Sequence, residues 1–490
     1  MNSNTHHVVI AGGGITGLAA AHRLKTEAVR SGIPLRITLL EASSRLGGKI
    51  ITHQLDDFTM EGGPDCFLTR KPWALNLCRE IGLDDQLIGT NEGRRRVFVL
   101  NRGRLYPLPE GVMLVVPTRF MPFALSPLFS IPGKLRMGLD LFIPRRDRCY
   151  GGDETLASFV RRRLGQEALD KIAEPLLSGI HVSDPERLSL KSSFPRLLDT
   201  ERKYGSLIRG MLAAKKMMAR RSNGSGNGAS RLPMFMSLQG GMQQFVETLV
   251  EQLEGVDLRT DSPVAGLERM EIGGPAYRVH TADGTSLQAG AVLLATPSDA
   301  SARLLAQYDP QLARDLSAIR YVTTAVVSFG YGPGPAVPTL DGFGFIIPKT
   351  EKRRITACTW TSTKFDHRVP DRHQLLRCFV GGPGREDLAE LGDDALVSMV
   401  HHELEAIMGL RVEPDLVRID RWHKANPQYD LNHLDRVAAI RSRAESHGNL
   451  YLAGSSYDGV GVPDCVRQGQ EGADKILSDI RKVKGVANHE

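Results

Sequence analysis

A glycine-rich turn near the start of the chain has the residue types and the spacing that bind a diphosphate. Three consecutive glycines lie between an apolar, β-branched run, VVIA, and a run with helical composition, ITGLAAAHRL, which contains a fourth glycine at its third position. In a strand–turn–helix unit, the first glycine of Gly-x-Gly-x-x-Gly makes the tight turn, the second admits the diphosphate, and the third lets the helix pack closely on the strand. The amino terminus of the helix then faces the anion. The residues that this pattern predicts to contact a dinucleotide are Gly12, Gly13, Gly14, Ile15, Thr16 and Gly17.

The second predicted strand ends in a carboxylate that favours the same interpretation. LRITLLEA closes with Glu41 and Ala42, at the distance from the glycines where an acidic residue accepts hydrogen bonds from a ribose. The alternative for Glu41 is a solvated strand end. The next segment, SSRLGGKI, places Arg45 and Lys49 around Gly47 and Gly48. A second basic, glycine-rich turn beside a dinucleotide site indicates a longer cofactor than a nicotinamide dinucleotide requires.

Composition limits the class of protein and its partners. The chain has 490 residues, 41% hydrophobic and 24% charged, which predicts two or three globular domains. The net charge of +6 comes from scattered short basic runs, which is not the basic stripe of a nucleic-acid-binding protein. It suits acidic small substrates, an anionic membrane surface or simply dispersed charge. The six cysteines form no metal-like cluster and no signal pattern precedes the first strand, so we expect no metal and a cytoplasmic protein.

One apolar stretch suggests contact with a membrane surface. FMPFALSPLFSIPG, residues 120–133, carries no charge but is broken by three prolines. A membrane-spanning helix needs roughly 20 apolar residues, so this segment is too short to cross a bilayer. We expect a surface element that dips into the membrane, or the lining of an apolar channel, with an ordinary buried helix–loop region as the alternative.

The order of the predicted elements indicates a mixed α/β fold with a discontinuous Rossmann-like domain. A strand, a glycine-rich loop and a helix recur near the carboxyl end, in NLYLAGSSYDGVGVPDCV. Gly454 and the loop residues Val462, Pro463 and Asp464 would bring a second helix amino terminus to the cofactor. The predicted domains are a cofactor domain (1–93, 233–300 and 446–490), a mixed-sheet substrate domain (94–110 and 301–445) and a helical, membrane-facing domain (111–232). Residues 222–230 are predicted to form a surface loop.

Several segments resemble one family. GGGITGLAAA, LLEASSRLGGKI and EGGPDCFL are similar to flavin amine-oxidase-type FAD proteins. EPLLSGIHVSDPERLSL, LQGGMQQFVETL, ITACTWTS, RWHKANPQYDLNH and AGSSYDGVGVPDCVRQG resemble the oxygen-dependent porphyrinogen oxidases of haem synthesis, and most closely their bacterial branch. The likeness covers essentially the whole chain. The insertion SNGSGNGAS and the DLNH sequence depart from the family pattern without touching a catalytic feature.

The resemblance implies a cofactor, a reaction and a set of contacts. It implies non-covalent FAD, dioxygen as electron acceptor, and six-electron oxidation of a porphyrinogen to the porphyrin with hydrogen peroxide as product. No catalytic side chain is required, because the flavin accepts the hydride. By resemblance, the cofactor contacts extend to Glu41, Ala42, Arg45, Gly48, Lys49, Gly62, Gly63, Pro64, Asp65, Val264, Trp422, Gly454, Val462, Pro463 and Asp464. A plain core position remains the alternative for Val264 and for Trp422.

The substrate residues follow from the chemistry of a flat macrocycle that carries carboxylates. Arg70 and Lys71 are candidates for a propionate clamp, with surface charge as the alternative. Ser178 and Gly179 would form a chamber wall, or merely a helix end. Trp360 with Phe343 or Ile346 would sandwich a pyrrole ring, or simply pack a sheet. We expect coproporphyrinogen III as the main substrate, protoporphyrinogen IX as a second, peripheral membrane contact, and a monomer or homodimer.

Two other functions remain open at this stage. An amine oxidase or desaturase on the same fold would need an aromatic cage at the flavin and often a cysteinyl link, for which Cys465 lies in the right region. A non-enzymatic FAD-binding scaffold would bind flavin without its being reduced by any porphyrinogen. Reduction of the flavin under anaerobic conditions separates these functions.

Overall fold

The structure is a computed structural model of the 490-residue chain. It describes residues 5–109, 111–113, 116–117, 119–146, 152–224, 232–270, 276–334 and 340–487.

The strands, in chain order, are β1 (His6–Ala11), β2 (Leu35–Leu40), β3 (Thr52–Leu55), β4 (Phe58–Glu61), β5 (Phe67–Leu68), β6 (Leu87–Gly89), β7 (Val97–Asn101), β8 (Arg104–Pro107), β9 (Val112–Met113), β10 (Val116–Pro117), β11 (Phe235–Leu238), β12 (Asp257–Arg259), β13 (Val264–Arg269), β14 (Tyr277–Thr281), β15 (Ser286–Ala289), β16 (Ala291–Leu294), β17 (Tyr321–Tyr331), β18 (Gly344–Ile346), β19 (Ile355–Trp360), β20 (Gln374–Gly381), β21 (Leu416–Pro427) and β22 (Leu450–Leu452).

The α-helices are α1 (Ile15–Arg30), α2 (Pro72–Glu80), α3 (Phe120–Leu125), α4 (Ile131–Gly138), α5 (Leu156–Leu164), α6 (Gln166–Ala168), α7 (Gly179–His181), α8 (Leu190–Ser193), α9 (Pro195–Tyr204), α10 (Leu207–Gly224), α11 (Gln243–Glu251), α12 (Ser298–Leu305), α13 (Pro310–Ser317), α14 (Thr361–Lys364), α15 (Glu386–Ala389), α16 (Asp393–Met408), α17 (His433–Ser446) and α18 (Val462–Ala487). A π-helical segment, Leu169–Ser178, connects α6 to α7.

A five-stranded parallel sheet forms the base of the cofactor region. Its strand order is β12-β2-β1-β16-β22, so strands from the beginning, the middle and the end of the chain lie side by side. On one face, Val8 and Ile10 pack with α1 and α18. On the other, Val9 and Ala11 pack with β14 and with the helices α12, α13 and α17. Burial on both faces explains the continuous apolar run of β1. The predicted mixed α/β fold with a discontinuous Rossmann-like domain is confirmed; the exact domain boundaries stay predictions.

The second large sheet has seven strands in the order β21-β17-β20-β19-β18-β7-β8. One face packs against α16 and is apolar throughout, from Phe329 and Leu376 to Phe345 and Trp360. Because side chains alternate along a strand, Trp422, Arg377 and Ile346 lie on the opposite face, as the strand registers require. That second face is directed toward the glycine-rich turns.

Helices α3 to α10 form a third packing unit. Phe159, Ile172 and Leu207 lie in its core, which also takes in Val99 of the seven-stranded sheet. Arg163 is completely buried there and pairs with the equally buried Asp140 at 2.5 Å. Such a pair is stabilising only with further hydrogen bonds, which the carbonyls of Ile143 and Gly205 supply to the guanidinium.

One expectation about this part of the chain needs revision. Residues 222–224 continue α10 instead of opening a loop, and residues 225–230 of the predicted loop lie outside the described part of the chain. The apolar stretch 120–133 contains α3 and the start of α4, joined by a turn. Among the described helices, none combines the length and apolar character needed to span a bilayer.

Candidate cofactor and substrate site

The first glycine turn has a geometry that only glycine allows at two positions. Gly12 adopts φ +108°, and a Cβ there would lie 2.7 Å from the carbonyl oxygen of Ala295. A Cβ on Gly17 would lie 2.0 Å from the carbonyl oxygen of Gly12. These contacts bring α1 directly against β1 and β16. Gly14 is the N-cap of α1 and no side chain caps the helix, so the first amides of α1 are left for another acceptor.

The second glycine turn packs against the first. The Gly47 amide donates to the carbonyl of Gly13 at 2.8 Å, and a Cβ on Gly48 would lie 3.1 Å from the Cα of Gly14. A Cβ on Gly14, by contrast, would meet only the Cα of Gly48, at 3.9 Å. Open space therefore remains in front of the uncapped end of α1, where the sequence predicts a diphosphate.

Glu41 lies beside this space. Its carboxylate accepts hydrogen bonds from the Gly13 amide at 2.7 Å, and from the Ser43 amide and hydroxyl at 2.9 and 2.8 Å. The Glu41 carbonyl accepts from the Ser262 amide at 2.8 Å, which brings the start of β13, and so Val264, to the same edge of the sheet. Ser43 is a contact that the sequence analysis missed. Ala42 is exposed next to Glu41. The carboxylate is thus oriented by neighbouring donors and not simply solvated.

Arg45 and Lys49 belong to the second glycine turn, and their side chains donate hydrogen bonds to backbone carbonyls. The Arg45 guanidinium donates to the carbonyls of Leu46, Gly48 and Ile50. The Lys49 ammonium donates to the carbonyl of Ala425. Burial lowers the pKa of both groups. Arg45 therefore holds the carbonyls of the glycine turn itself, whereas Lys49 ties the turn to β21.

The turn Gly62–Asp65, which follows β4 and precedes β5, lies between the second glycine turn and the seven-stranded sheet. A Cβ on Gly63 would lie 1.7 Å from the carbonyl oxygen of Lys49, so the chain segments cross without space for a side chain. The Trp422 indole N–H donates to the carbonyl of Gly62 at 2.8 Å. Arg377, which the sequence analysis did not select, donates to the carbonyl of Gly63. Trp422 therefore lies at the predicted cofactor turn, as expected.

A mostly buried ion pair anchors the end of this turn. The Asp65 carboxylate accepts from the Lys364 ammonium at 2.7 Å, and both side chains are only 14% exposed. Burial alone would raise the pKa of Asp65, but Lys364 and Arg377 outweigh it and hold that pKa below its usual range. Lys364 follows Asp65 by 299 positions, so no local sequence signal pointed to it. Asp65 and Pro64 are held in place by this pair, next to Gly62 and Gly63.

The carboxyl-terminal loop reaches the same region. Gly454 follows β22 with φ +133° and no atom within 4 Å of a Cβ built on it. Helix α18 begins at Val462, and Pro463 and Asp464 form its first turn. The Asp464 carboxylate contacts the Lys71 ammonium at 2.6 and 2.8 Å. The predicted cofactor loop and the predicted propionate clamp are therefore in direct contact, while Arg70 is exposed.

The remaining substrate candidates divide between two faces of the seven-stranded sheet. Ile346 lies on the same face as Trp422 and packs toward the helical unit. Trp360 lies on the opposite face, 5% exposed, against Phe98 and Phe345. One pyrrole ring cannot be held between Trp360 and Ile346, because they lie on opposite faces. The pairing of Trp360 with Phe343 stays a prediction. Phe343, half-buried, donates its amide to the carbonyl of Arg96 at the end of the sheet.

The predicted chamber wall lies at the end of a helix. Ser178 is the last residue of the π-helical segment and Gly179, exposed, is the first of α7. π-Helical turns are uncommon and occur often at functional sites. This one contains the buried Pro175 and leads to Val182, whose φ of +47° is unusual for a β-branched residue. This position is consistent with both interpretations of Ser178 and Gly179, as part of a substrate chamber wall and as a helix end.

The residues present fit FAD. Two glycine turns enclose open space at an uncapped helix end, an oriented carboxylate follows β2, and a second helix amino terminus, that of α18, approaches from the other end of the chain. Backbone donors and helix termini are the groups that bind a diphosphate.

The same assignment follows from known proteins. Residues 15–477 match the family model of the flavin containing amine oxidoreductases. The coproporphyrinogen III oxidase of Bacillus subtilis (strain 168) is 37% identical, over 98% of this chain and 99% of that protein. The coproporphyrinogen III oxidase of Propionibacterium freudenreichii is also 37% identical, over 96% of this chain and 90% of its own. A crystal structure from Exiguobacterium sp. 255-15, assigned as a protoporphyrinogen oxidase, superposes with a TM-score of 0.84 at 34% identity and covers 98% of this chain and 100% of its own. By motif, fold and full-length similarity, the chain belongs to the family of flavin-containing amine oxidoreductases.

Proposed function

We propose that this protein oxidises a porphyrinogen to the porphyrin, with FAD as cofactor and dioxygen as acceptor. The observation that carries this assignment is the full-length similarity to two bacterial proteins named coproporphyrinogen III oxidase, on a fold whose glycine turns fit FAD. The reaction removes six electrons, and each dioxygen that takes up two of them leaves as hydrogen peroxide. An amine oxidase function is less well supported, because the similarity to porphyrinogen oxidases covers the whole chain.

The protein's part in the reaction is to bind, orient and exclude water. Bound FAD supplies the hydride acceptor. The two glycine turns and Glu41 hold the dinucleotide, while Trp422 and Arg377 hold the Gly62–Gly63 carbonyls and so fix this turn against the seven-stranded sheet. On the face of the seven-stranded sheet that also carries Trp422 and Arg377, Ile346 provides an apolar side chain for the macrocycle. Lys71, which contacts Asp464 in the first turn of α18, provides positive charge for a propionate.

FAD is bound without a covalent link in this proposal. Cys465, the candidate for such a link, lies in the first turns of α18 and is 7% exposed. Burial raises the pKa of its thiol to about 11, which disfavours the thiolate that would attack a flavin. Acid precipitation should therefore release all of the yellow colour into the supernatant; colour retained in the pellet would contradict non-covalent binding.

Coproporphyrinogen III is the proposed main substrate and protoporphyrinogen IX a second one. Four propionates instead of two require positive charge on more than one side of the ring. Lys71 and Arg70 lie on one side, and Arg96, exposed and paired with Asp341 at 2.6 Å, lies beside Phe343. In the basic run at residues 352–354, Arg353 pairs with Glu403 of α16, behind the sheet.

Anaerobic reduction of the bound flavin tests both the function and the substrate. We expect the flavin absorbance near 450 nm to bleach with either porphyrinogen, and several-fold to about tenfold faster with coproporphyrinogen III, because exposed ion pairs contribute only about 0–1 kcal/mol each. Simple amines should leave the flavin oxidised. Bleaching by amines alone would establish the amine oxidase function, and no bleaching at all would favour a scaffold. Faster reduction by protoporphyrinogen IX would overturn the substrate choice only.

A peripheral membrane contact is a further part of the proposal. Several large apolar side chains on α3, α4 and the turn after α4 point into solvent: Met121 (63% exposed), Leu125 (76%), Ile131 (73%), Leu135 (69%), Leu139 (50%) and Phe142 (77%). Exposed patches of this kind mark interaction surfaces. Lys134 and Arg136 donate to backbone carbonyls, so the apolar side chains carry more of the expected binding than these cations do.

Flotation with vesicles of phosphatidylglycerol and phosphatidylcholine tests this contact. We expect Leu135→Asp to lower binding at least tenfold, because burying one leucine contributes about 1.5–3 kcal/mol. High salt should release part of the wild-type protein. The matched control is Val29→Asp, since Val29 is 79% exposed on α1, outside the patch. Equal binding of wild type and the Leu135 variant would rule out this surface as the contact.

A further inference from the structure

Arg377 is a buried cation beside the predicted cofactor turn. It lies on β20, on the face of the sheet that also carries Trp422, and its side chain is 5% exposed. Its guanidinium donates to the carbonyl of Gly63 and lies over the ring of Phe379, 5.1 Å from the centroid. A neutral amide side chain could donate the same hydrogen bond. The positive charge itself therefore needs an explanation, because a buried charge is costly unless it is paired.

The carboxylate nearest to Arg377 is already paired. The Oδ2 atom of Asp65 is 3.9 Å from the guanidinium, but the same oxygen accepts from the Lys364 ammonium at 2.7 Å. The neighbouring thiol of Cys66 stays neutral, because burial raises its pKa to about 12. The buried Nε of Arg377 has no hydrogen-bond partner among the residues that the structure describes. Most of the charge of Arg377 is therefore uncompensated.

The other charged side chains around the turn balance one another. They form two further pairs of one cation and one carboxylate: Arg368 with Glu61 at 3.5 Å, and Arg418 with Asp420 at 3.8 Å, where Asp420 also bonds a neutral His53 at 2.8 Å. Asp420 lies directly against Gly62, since a Cβ on that glycine would be 2.7 Å from its carboxylate. With Lys364 paired to Asp65, the excess positive charge of this described cluster belongs to Arg377.

The peptide between Gly62 and Gly63 presents a donor on the side of the turn away from this charge. Trp422 and Arg377 donate to the carbonyls of Gly62 and Gly63, so both carbonyls point toward the sheet. In a planar trans peptide the N–H points opposite to the C=O, so the Gly63 amide points away from the sheet. Within the described parts of the chain this amide has no acceptor. The turn therefore has an unpaired amide in front and a buried positive charge behind.

We infer that Arg377 is a positioning residue whose excess charge, held behind the Gly62–Asp65 turn, favours the reduced state of the bound flavin. This inference rests on the proposed function, in which that turn contacts FAD. A hydride adds one negative charge to the flavin, and charge near the ring nitrogens is one of the means by which a protein tunes a flavin. Because Arg377 is buried, water and salt screen its charge only weakly. Arg377 thus acts from behind the Gly63 backbone, without touching the substrate.

The reduction potential of the bound flavin, measured against a reference dye without oxygen or any porphyrinogen, tests this role. We expect Arg377→Gln, which keeps an N–H donor for Gly63, to shift the equilibrium at least tenfold toward the oxidised flavin, a fall of about 30 mV for a two-electron couple. Arg377→Lys keeps the charge and should keep a potential close to that of the wild type. Arg421→Gln is the matched control, because Arg421 also donates to backbone carbonyls but lies on the opposite face of the sheet, next to α15.

Each result decides for or against the charge. An unchanged potential in Arg377→Gln, with full FAD content, would overturn the inference. Equal falls in the Gln and Lys variants would assign the effect to the shape of arginine and would overturn the role of its charge. If the Arg377 variants do not fold, Asp65→Asn decides: it removes a carboxylate from the cluster and should raise the potential, and an unchanged or lower potential would contradict the inference. The expected shifts in a protein that oxidises no porphyrinogen would leave the inference intact and remove only the proposed function.

Discussion

A Gly14→Val variant is expected to fold normally and to purify without FAD. Gly14 has φ −71° and ψ 175°, a backbone conformation that valine adopts without strain. The nearest atom to a Cβ at this position is the Cα of Gly48, at 3.9 Å, so the protein itself accommodates the side chain. The valine methyl groups would instead enter the space in front of the uncapped α1 amino terminus, where we propose that the diphosphate binds. Because two negatively charged phosphates lose their backbone donors together, we expect FAD content to fall more than tenfold.

The measurement is the ratio of flavin to protein absorbance after purification, with circular dichroism to confirm folding. Two further glycine variants serve as comparisons. Gly138→Val places the same side chain in open space on α4 and should keep full FAD content. Gly17→Ala should lose stability as well as FAD, because its Cβ would lie 2.0 Å from the Gly12 carbonyl oxygen. A folded Gly14→Val protein with full FAD would remove the assignment of this turn to the diphosphate.

A Lys364→Met variant is expected to lose about 3 kcal/mol of stability at pH 7. Methionine keeps the length of the side chain but leaves the Asp65 carboxylate without its 2.7 Å partner in a mostly buried site. Breaking one partner of a buried pair costs about 3–5 kcal/mol. We expect the lower end of this energy range, because Arg377 remains 3.9 Å from Asp65 and the Cys66 thiol still donates a hydrogen bond to the Asp65 carboxylate. The turn that Asp65 anchors should also loosen, which lowers FAD affinity.

The loss of stability in the Lys364→Met variant should depend on pH in a defined direction. The pKa of Asp65 is held below its usual range in the wild type, so the pair stabilises the fold fully above the unfolded pKa of about 4 and less as the pH falls toward the folded value. In the variant this depression is weakened, so acid removes less stability from it. The difference in free energy of unfolding between wild type and variant is therefore largest near neutral pH and shrinks below about pH 4.

Urea denaturation of both proteins at pH 7 and at pH 4 measures this. Lys482→Met is the control: Lys482 pairs with Asp479 at a similar distance, 2.8 Å, but its side chain is 72% exposed. An exposed pair contributes about 0–1 kcal/mol, so this variant should unfold almost like the wild type. A Lys364 variant as stable as the Lys482 variant would contradict the role assigned to the buried pair.

The sequence alone was sufficient for features that depend on neighbouring residues. The spacing of Gly12, Gly14 and Gly17 between a β-branched run and a helix determined the strand, the turn, the helix and the space for a diphosphate, because the need for glycine there is set by local backbone geometry. The position of Glu41 after β2 followed from the same unit. The recurrence of a strand, glycines and a helix near Gly454 predicted that the two ends of the chain build one sheet, which the order of β12, β2, β1, β16 and β22 confirms.

Only the tertiary structure decided which distant side chains meet. Lys71 and Asp464 are 393 positions apart, and Asp65 and Lys364 are 299 apart; neither pair carries a local signal, because each residue alone is an ordinary surface charge. The sheet registers decided that Trp360 packs against α16 while Ile346 faces the other way, since one residue of register moves a side chain to the opposite face. The glycine turn could thus be predicted from neighbouring residues. The charges that position the site, and the sheet face open to a substrate, depend on pairing between residues that are far apart in the sequence. A local sequence pattern does not contain that information.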